Sequence, residues 1–187
     1  MNTVIDEIDY GPLAQLIGKW SGDKGMDNAP DTNANSDKTA FADEITFITS
    51  GAAKNANEQH LVSIKYHHIV RKISNGQVFH DQIGHWIYEE STNIIMHSLS
   101  IPRGVCVLAG GEYVENNGEG IFSVEANIDN QAYGILQSPF MIEKAQTTAF
   151  KMHLSIKDNE LKYKEIMSLN IYGKEFEHTD ESILFRV

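Results

Sequence analysis

Apolar and polar residues alternate with a period of two along most of the chain. In the clearest run, from His60 to Lys72, one largely apolar face collects Val62, Ile64, Tyr66, His68 and Val70. The same alternation returns over residues 150–156 and 161–171. Because successive side chains of a β-strand point to opposite faces, this period is typical of strands with one buried face. The pattern therefore predicts an all-β protein.

Turn-forming residues separate the alternating runs. They lie at 74–76, 116–118, 129–130 and 157–159. Asn75-Gly76 and Asn117-Gly118 are the strongest hairpin signals, because asparagine and glycine both tolerate the positive φ of tight hairpin turns. The runs number about ten, which favours an antiparallel meander closed into a barrel that leaves no exposed edge. We expect a single domain over residues 1–187.

Two segments depart from this pattern. Residues 1–16 form an N-terminal segment, with a short helix predicted near Tyr10–Ile17, where Gly11-Pro12 begins a turn ahead of an apolar stripe. Residues 27–38 are rich in Asp, Asn, Ala and Pro and have no apolar periodicity. We predict that this stretch is a mobile loop between the first two strands.

The stretch between these segments sets one large aromatic residue among glycines: Gly18-Lys19-Trp20-Ser21-Gly22-Asp23-Lys24-Gly25. Glycine inside a strand usually marks a bend or a close approach of another backbone. A tryptophan there can fill one end of a barrel and donate a hydrogen bond through its indole N–H. We predict that Trp20 plugs one end of the barrel.

Composition narrows the classes of function. The chain has 187 residues, 41% of them hydrophobic, which is enough for one domain with a sizeable core. The formal charge of −11 and the pI of about 5.1 disfavour nucleic-acid and anionic membrane partners, because like charges repel. No signal peptide or transmembrane helix is visible, and Cys106 is the single cysteine, so we expect a cytoplasmic protein without an internal disulfide. Two valine neighbours favour a buried thiol at Cys106.

The sequence lacks the common catalytic and zinc-binding motifs. Neither G-x-S-x-G nor G-x-G-x-x-G occurs, and no C-x-x-C or H-E-x-x-H spacing is present. His67 and His68 are adjacent in a predicted strand, so they point to opposite faces and cannot bind one ion together. We therefore assign no catalytic residue and no zinc site.

Four segments, in order along the chain, resemble the nitrobindin-like heme-binding β-barrels, which share their shape with lipocalins and fatty-acid-binding proteins. The segments are Gly18–Gly25, Phe79–Trp86, Met96–Gly104 and Phe176–Asp180, the last followed by Ile183–Arg186. The second segment looks like the L-H-x-E-T-G-Y strand of that family. The resemblance implies an antiparallel barrel of about ten strands with one heme b at its mouth.

The resemblance also implies a ligand for the heme iron. In this family a histidine of the last strand binds the iron, and His178 is the matching residue. Such a ferric heme would react with nitric oxide or peroxynitrite, and an open iron position would allow isomerisation of peroxynitrite to nitrate. Whether this chain is an enzyme stays open. The residues themselves leave a second interpretation, in which His178 is a surface or turn histidine bonded to Asp180.

Five further residues are candidates for the cofactor pocket: His80, His97, Arg103, Met152 and Met167. His80 matches the histidine of the family's strand motif, and Arg103 can pair with a heme propionate, because a guanidinium matches a carboxylate. Structural alternatives exist for several of them. His97 can be a core histidine bonded to the backbone, Arg103 can lie in an exposed turn, and the methionines can fill gaps in the core.

Two other functions remain open at this point. One is a heme-free carrier of a fatty acid or another small apolar ligand. The other is a barrel with a filled interior and a structural or interaction role. The sequence is also compatible with a homodimer. Both ligand-binding functions require a cavity open at one end, with these side chains facing inward: Tyr66, Met152, Leu154, Met167 and Leu169.

Overall fold

The computed structural model describes residues 2–187. The strands are Val4–Ile5 (β1), Ile8–Asp9 (β2), Gly18–Pro30 (β3), Ser36–Asn55 (β4), Gln59–Lys72 (β5), Val78–Glu89 (β6), Ile94–Ile101 (β7), Val105–Asn116 (β8), Glu119–Asn127 (β9), Ile135–Gln137 (β10), Ala145–Lys157 (β11), Glu160–Ile171 (β12) and Lys174–Arg186 (β13). A 3-10 helix covers Gly11–Gln15, where a short helix is predicted, and one α-helix, α1, covers Pro139–Lys144. Within residues 2–187 neither helix is long and apolar enough to cross a membrane.

Ten of these strands form one closed antiparallel barrel, as the sequence predicts. From β3 to β9 each strand pairs with the next one along the chain. The short β10 adds to β8, and β9 pairs with β11 across the inserted β10 and α1. The run then continues through β12 to β13, which pairs with β3. The first long strand and the last strand therefore close the barrel against each other.

The connection between β3 and β4 differs from the prediction. A mobile loop over residues 27–38 is wrong, because β3 continues to Pro30 and β4 begins at Ser36. Only residues 31–35 connect the two strands. Most of the residues of this hairpin are at least partly exposed at the rim of the barrel, where a strand needs no apolar face. The polar composition of this segment therefore reflects its position in the barrel.

Glycines allow close packing in β3, and a hairpin turn is formed as predicted. The pairing of β3 with β4 shifts register between Gly22 and Gly25. A side chain on Gly25 would overlap the ring of Phe41. Asn117 and Gly118 connect β8 to β9 with φ of 51° and 76°. Gly25 thus allows the close approach of Phe41, and Asn117-Gly118 adopts the positive φ that a tight hairpin turn needs.

Trp20 closes one end of the barrel, as predicted. It is 1% exposed, and its indole Nε1–H donates to the carbonyl oxygen of Leu16 at 2.7 Å. The guanidinium of Arg186 lies 4.2 Å from the centre of the Trp20 ring. It also donates to the carbonyl oxygens of Ile17 and Gln15, each at 2.6 Å. These contacts fix the 3-10 helix over the barrel end.

Large side chains fill the interior. The side chains predicted to face inward do so, which confirms the strand register: Tyr66, Met152, Leu154 and Met167 are buried, and Leu169 is partly buried against the core. Aromatic rings occupy much of the remaining space: Trp20, Phe41, Phe47, Trp86, Phe122 and Phe150. A barrel of this size can enclose a long cavity, but these rings leave space mainly toward one end.

A chain of hydrogen bonds crosses this interior. Nε2–H of His80 donates to the side-chain oxygen of Gln82 at 3.0 Å, and the Gln82 amide donates to the Tyr66 hydroxyl at 2.7 Å. The Tyr66 hydroxyl donates to Nε2 of His97 at 2.8 Å. His97 stacks on Trp86 with 4.3 Å between ring centres. Its Nδ1 is buried without a hydrogen-bond partner in the described chain. Burial lowers the pKa of His97 to about 3, so the ring is neutral.

A second buried polar cluster surrounds Asp43 on β4. The carboxylate accepts hydrogen bonds from the Tyr163 hydroxyl at 2.9 Å, from Nε2–H of His68 at 3.0 Å and from the Ser182 hydroxyl at 2.8 Å. These donors lie on β12, β5 and β13. They offset the cost of removing the Asp43 charge from water and tie distant parts of the barrel wall to one another.

Cys106 is exposed, so the expectation of a buried thiol is wrong. Val105 and Val107 are both buried, and strand alternation therefore turns the residue between them outward. Apolar neighbours in sequence lie on the opposite face of a strand and do not bury the residue they flank.

Replacing Trp20 by alanine should lower the free energy of unfolding by about 3–5 kcal/mol, because the change removes a buried aromatic ring and its hydrogen bond to the 3-10 helix. Denaturant unfolding followed by circular dichroism measures the loss. Phe185→Ala, at an exposed site on β13, is the matched control and should cost much less. Equal unfolding midpoints for Trp20→Ala and the wild type would contradict the role of Trp20.

His97 should make the fold sensitive to acid. A histidine in the unfolded chain has a pKa of about 6.5, whereas burial lowers the pKa of folded His97 to about 3. As the pH falls through this interval, the unfolded chain takes up a proton that folded His97 does not. Stability is therefore lost toward acid, by up to about 1.4 kcal/mol per pH unit from this residue.

The variant His97→Gln tests this dependence. Urea unfolding at pH 7, 6 and 5 should show that the stability difference between wild type and His97→Gln shrinks as the pH falls. His60→Gln, at an exposed strand position, should show a constant difference. If the stability difference between wild type and His97→Gln stays constant with pH, the ring at this position is not neutral and buried.

Candidate functional site

The cavity lies at the end of the barrel away from Trp20. Trp20 and Asp27 lie toward opposite ends of β3, and Asp27 borders the cavity. The volume is about 400 Å³. Apolar side chains make up much of the wall: Phe79, Ile101, Val105, Met167, Leu169 and Ile171. The helix α1 adds Phe140 and Met141. The predicted opening at one end of the barrel is confirmed, and this end is called the mouth.

His178 of β13 borders the cavity with its side chain 24% exposed. Its Nε2–H donates to Oδ1 of Asp27 at 2.7 Å, and Oδ2 of Asp180 is 3.4 Å from the same nitrogen. Burial alone would lower the pKa of His178, but the hydrogen bond to Asp27 and the charge of Asp180 outweigh it and raise the pKa. Nδ1 has no hydrogen-bond partner among residues 2–187. The protein thus holds one ring nitrogen and leaves the other available.

Three carboxylates lie side by side on the same part of the wall. The strand register pairs Asp27 of β3 with Asp180 of β13, and Asp180 with Glu165 of β12. Residues directly opposite each other on neighbouring strands bring their side chains close together on one face. All three border the cavity. We call Asp27, Asp180 and Glu165 the acidic wall.

Crowding and burial shift the ionisation of the acidic wall. Burial raises the pKa of Glu165 to about 8, and the neighbouring charge of Asp180 adds to the effect. Burial also raises the pKa of Asp180 to about 7, although the proximity of His178 opposes this shift. The three carboxylates are therefore not all ionised together at neutral pH.

His80 and Arg103 border the same cavity from other parts of the barrel. His80 lies on β6, and Arg103 lies in the turn between β7 and β8, where it is exposed. Burial, followed by the influence of His68, lowers the pKa of His80 to about 4. The mouth therefore carries a neutral histidine at His80 and a cation at Arg103.

Of the six residues predicted for the cofactor pocket, the structure brings four together at the cavity: His178, His80, Arg103 and Met167. His97 and Met152 are buried in the packed interior, and neither borders the cavity. Strand alternation correctly predicted that these two side chains face inward. It carries no information on how far along the barrel axis each one lies.

Sequence analysis missed two members of the acidic wall and gave Asp180 only as a partner of His178. Asp27 lies in the segment predicted as a loop, and its neighbours in space are far away in the sequence. Glu165 gave a usable signal. It occupies an inward position of the run that includes Tyr163 and Met167, and a carboxylate on an apolar strand face is unusual enough to indicate a site.

Comparison with known proteins agrees with the fold. The family described as THAP4-like, heme-binding beta-barrel domain matches residues 9–186. Among solved structures, Rv2717c from M. tuberculosis has a TM-score of 0.69 to this chain, with 17% sequence identity and 94% of each chain covered. At this identity the likeness concerns the fold. No curated protein sequence matches the chain. The family match spans the whole barrel, confirms the resemblance to nitrobindin-like barrels, and shows that this chain belongs to the THAP4-like heme-binding β-barrel domain family.

Proposed function

We propose that the mouth binds a ferric heme b and that His178 is the protein ligand of the iron. The observation that carries the proposal is the hydrogen bonding of this imidazole. Nε2–H is held by Asp27 at 2.7 Å, and Nδ1 has no hydrogen-bond partner in the described chain. A neutral imidazole with its proton on Nε2 has a lone pair on Nδ1, which is the form that binds a metal.

The surroundings of His178 fit a heme. A histidine that binds a metal commonly donates its other N–H to a carboxylate, which fixes the ring and increases its basicity. Asp27 occupies this position. The apolar side chains of the cavity wall suit the porphyrin ring, since ligand pockets are mostly apolar with a few placed polar groups.

Arg103 would bind a propionate of the heme. It lies at the rim of a chain with a formal charge of −11, and the cavity holds the acidic wall, so an anionic group needs a local cation. The guanidinium offers paired N–H donors that match a carboxylate. Its exposed position at the turn between β7 and β8 suits the solvent-facing edge of a heme.

A ferric heme held by one protein ligand supplies an iron position at which nitric oxide or peroxynitrite binds. His80 is the neutral polar side chain that borders the same space. Its Nε2–H is directed to Gln82, which holds the ring in place. We propose that His80 forms a hydrogen bond with the bound small molecule. The family resemblance supports this reactivity, including isomerisation of peroxynitrite.

A heme-free carrier of a fatty acid is the second candidate. The apolar cavity wall supports it, but the acidic wall would repel a fatty-acid carboxylate bound deep in the cavity. Absorption spectroscopy distinguishes the two, because heme gives a Soret band and a fatty acid gives none. Displacement of a fluorescent fatty acid from heme-free protein, without heme uptake, would favour the carrier.

His178→Ala should abolish heme binding or weaken it strongly, because the iron loses its protein ligand, and the fold should stay intact. Heme titration followed at the Soret band measures affinity, and circular dichroism checks the fold. His153→Ala removes an exposed histidine of β11 and should bind heme like the wild type. An unchanged Soret spectrum and affinity in His178→Ala would exclude this residue as the ligand.

Arg103→Ala should weaken heme binding roughly fivefold to tenfold, the range of about 1–1.4 kcal/mol for a charge-assisted contact at an exposed site. Arg103→Lys should recover only part of the loss, since lysine lacks the paired donors. Arg71→Ala, at an exposed position of β5, is the matched control. Equal losses in Arg103→Ala and Arg71→Ala would show that only the total charge of the protein matters.

A further inference from the structure

The acidic wall places like charges opposite one another on three adjacent strands. Asp27 pairs with Asp180, and Asp180 pairs with Glu165. Carboxylates directly opposite each other in a sheet destabilise it unless a cation or a proton lies between them. Within residues 2–187, no lysine or arginine forms an ion pair with any of the three, and His178 is their one partner of that kind. The acidic wall can therefore be relieved by protons, as the raised pKa values of Glu165 and Asp180 indicate, or by a cation bound from outside.

The donor atoms of this group converge on one point. One ligand atom each from Asp27, His178 and Asp180 lies within 4.8 Å of the others. Nε2 of His178 is 2.7 Å from Oδ1 of Asp27 and 3.4 Å from Oδ2 of Asp180. Two ligands of one ion can lie this far apart, because metal–ligand bonds to oxygen and nitrogen are about 2.0–2.2 Å long. The donors come from two paired strands, β3 and β13, so the backbone of the barrel positions them.

Glu165 adds an independent observation. Its side chain is 5% exposed and borders the cavity. The side-chain amide of Gln82, which also donates to the Tyr66 hydroxyl, lies close enough to favour the ionised form of Glu165. No lysine, arginine or histidine of the described residues forms an ion pair with Glu165. A cation at this part of the wall would therefore stabilise the ionised form of Glu165.

We propose that Asp27, His178 and Asp180 form a binding site for a divalent first-row transition-metal ion when no heme occupies the mouth. One imidazole nitrogen together with carboxylate oxygens is a donor set that suits zinc, manganese or ferrous iron. Magnesium and calcium prefer sites made of oxygen alone. The ion would offset the negative charge of the acidic wall and stabilise the ionised form of the neighbouring Glu165.

This site is independent of the heme proposal in its evidence but shares His178 with it. The ion binds through the acidic wall, whereas the heme depends on the apolar wall and on Arg103. The ion would replace the proton on Nε2 of His178 and break the hydrogen bond by which Asp27 holds the ring for the heme, so a bound ion should oppose heme binding. Zinc should therefore raise the apparent dissociation constant of heme.

The test uses the full chain freed of heme and metal, with Zn²⁺ and Co²⁺ as probes. Calorimetric titration should show one saturable Zn²⁺ per chain, and Co²⁺ should give visible absorption bands that report its coordination. Asp180→Asn and Asp27→Asn should each weaken Zn²⁺ binding at least tenfold, with intact folds by circular dichroism. Two variants keep the test decisive if one of them fails to fold.

Asp81→Asn is the matched control. Asp81 accepts a hydrogen bond from Nε2–H of His67 at 2.9 Å, which repeats the Asp27–His178 contact on the exposed outer surface. Zn²⁺ affinity should not change in this variant. Lack of saturable Zn²⁺ binding by the wild type would overturn the proposal, as would a Zn²⁺ affinity equal to that of the wild type in both Asp180→Asn and Asp27→Asn.

Heme titration of the wild type separates the two proposals. Zinc binding without heme binding would reject the heme function alone. Heme binding without zinc binding would reject the metal-ion site alone. Binding of both without competition would show that His178 does not belong to both sites, and would overturn the metal-ion site as stated here.

Discussion

The pairing of β13 with β3 is the constraint on which the site depends. It closes the barrel, and its register sets Asp27 beside Asp180 although the two residues lie near opposite ends of the chain. His178 can hold a hydrogen bond to Asp27 only because this pairing is made. Closure of the sheet and assembly of the candidate site are therefore the same structural event.

Packing along the barrel axis decides where a ligand can lie. One end is closed by Trp20 and Arg186, and aromatic rings occupy the middle. Polar side chains inside the barrel are mostly satisfied by one another, as in the group around Asp43, which accepts three hydrogen bonds. The mouth is the contrasting region, where Nδ1 of His178 has no hydrogen-bond partner among the described residues. Unused capacity next to an apolar cavity is what distinguishes a binding site from a buried polar core.

Sequence alone predicted the barrel and the inward faces well, because alternation and Asn-Gly turns are local signals. The position of Trp20 among glycines was an equally clear local signal for a barrel end. His178 became a candidate ligand only through resemblance to a family. The prediction for Cys106 was wrong although strand alternation, a local signal, already turns this residue outward. The course of segment 27–38 and the depth of His97 along the barrel axis depend on neighbours supplied by other strands. The acidic wall belongs to the same class, because its members meet only after register and closure are set.

We call the paired strands β3 and β13 the seam of the barrel; they are its two strands most distant in sequence. Because the chain-entropy cost of pairing them is high, we expect the seam to form late in folding. Both ends of the barrel depend on this seam, since it carries Trp20 with Arg186 at one end and Asp27 with His178 at the other. A ligand that binds both Asp27 and His178 would hold β3 and β13 together. Its main kinetic effect would be to slow the opening of the barrel, and occupancy would then set how long each molecule stays folded.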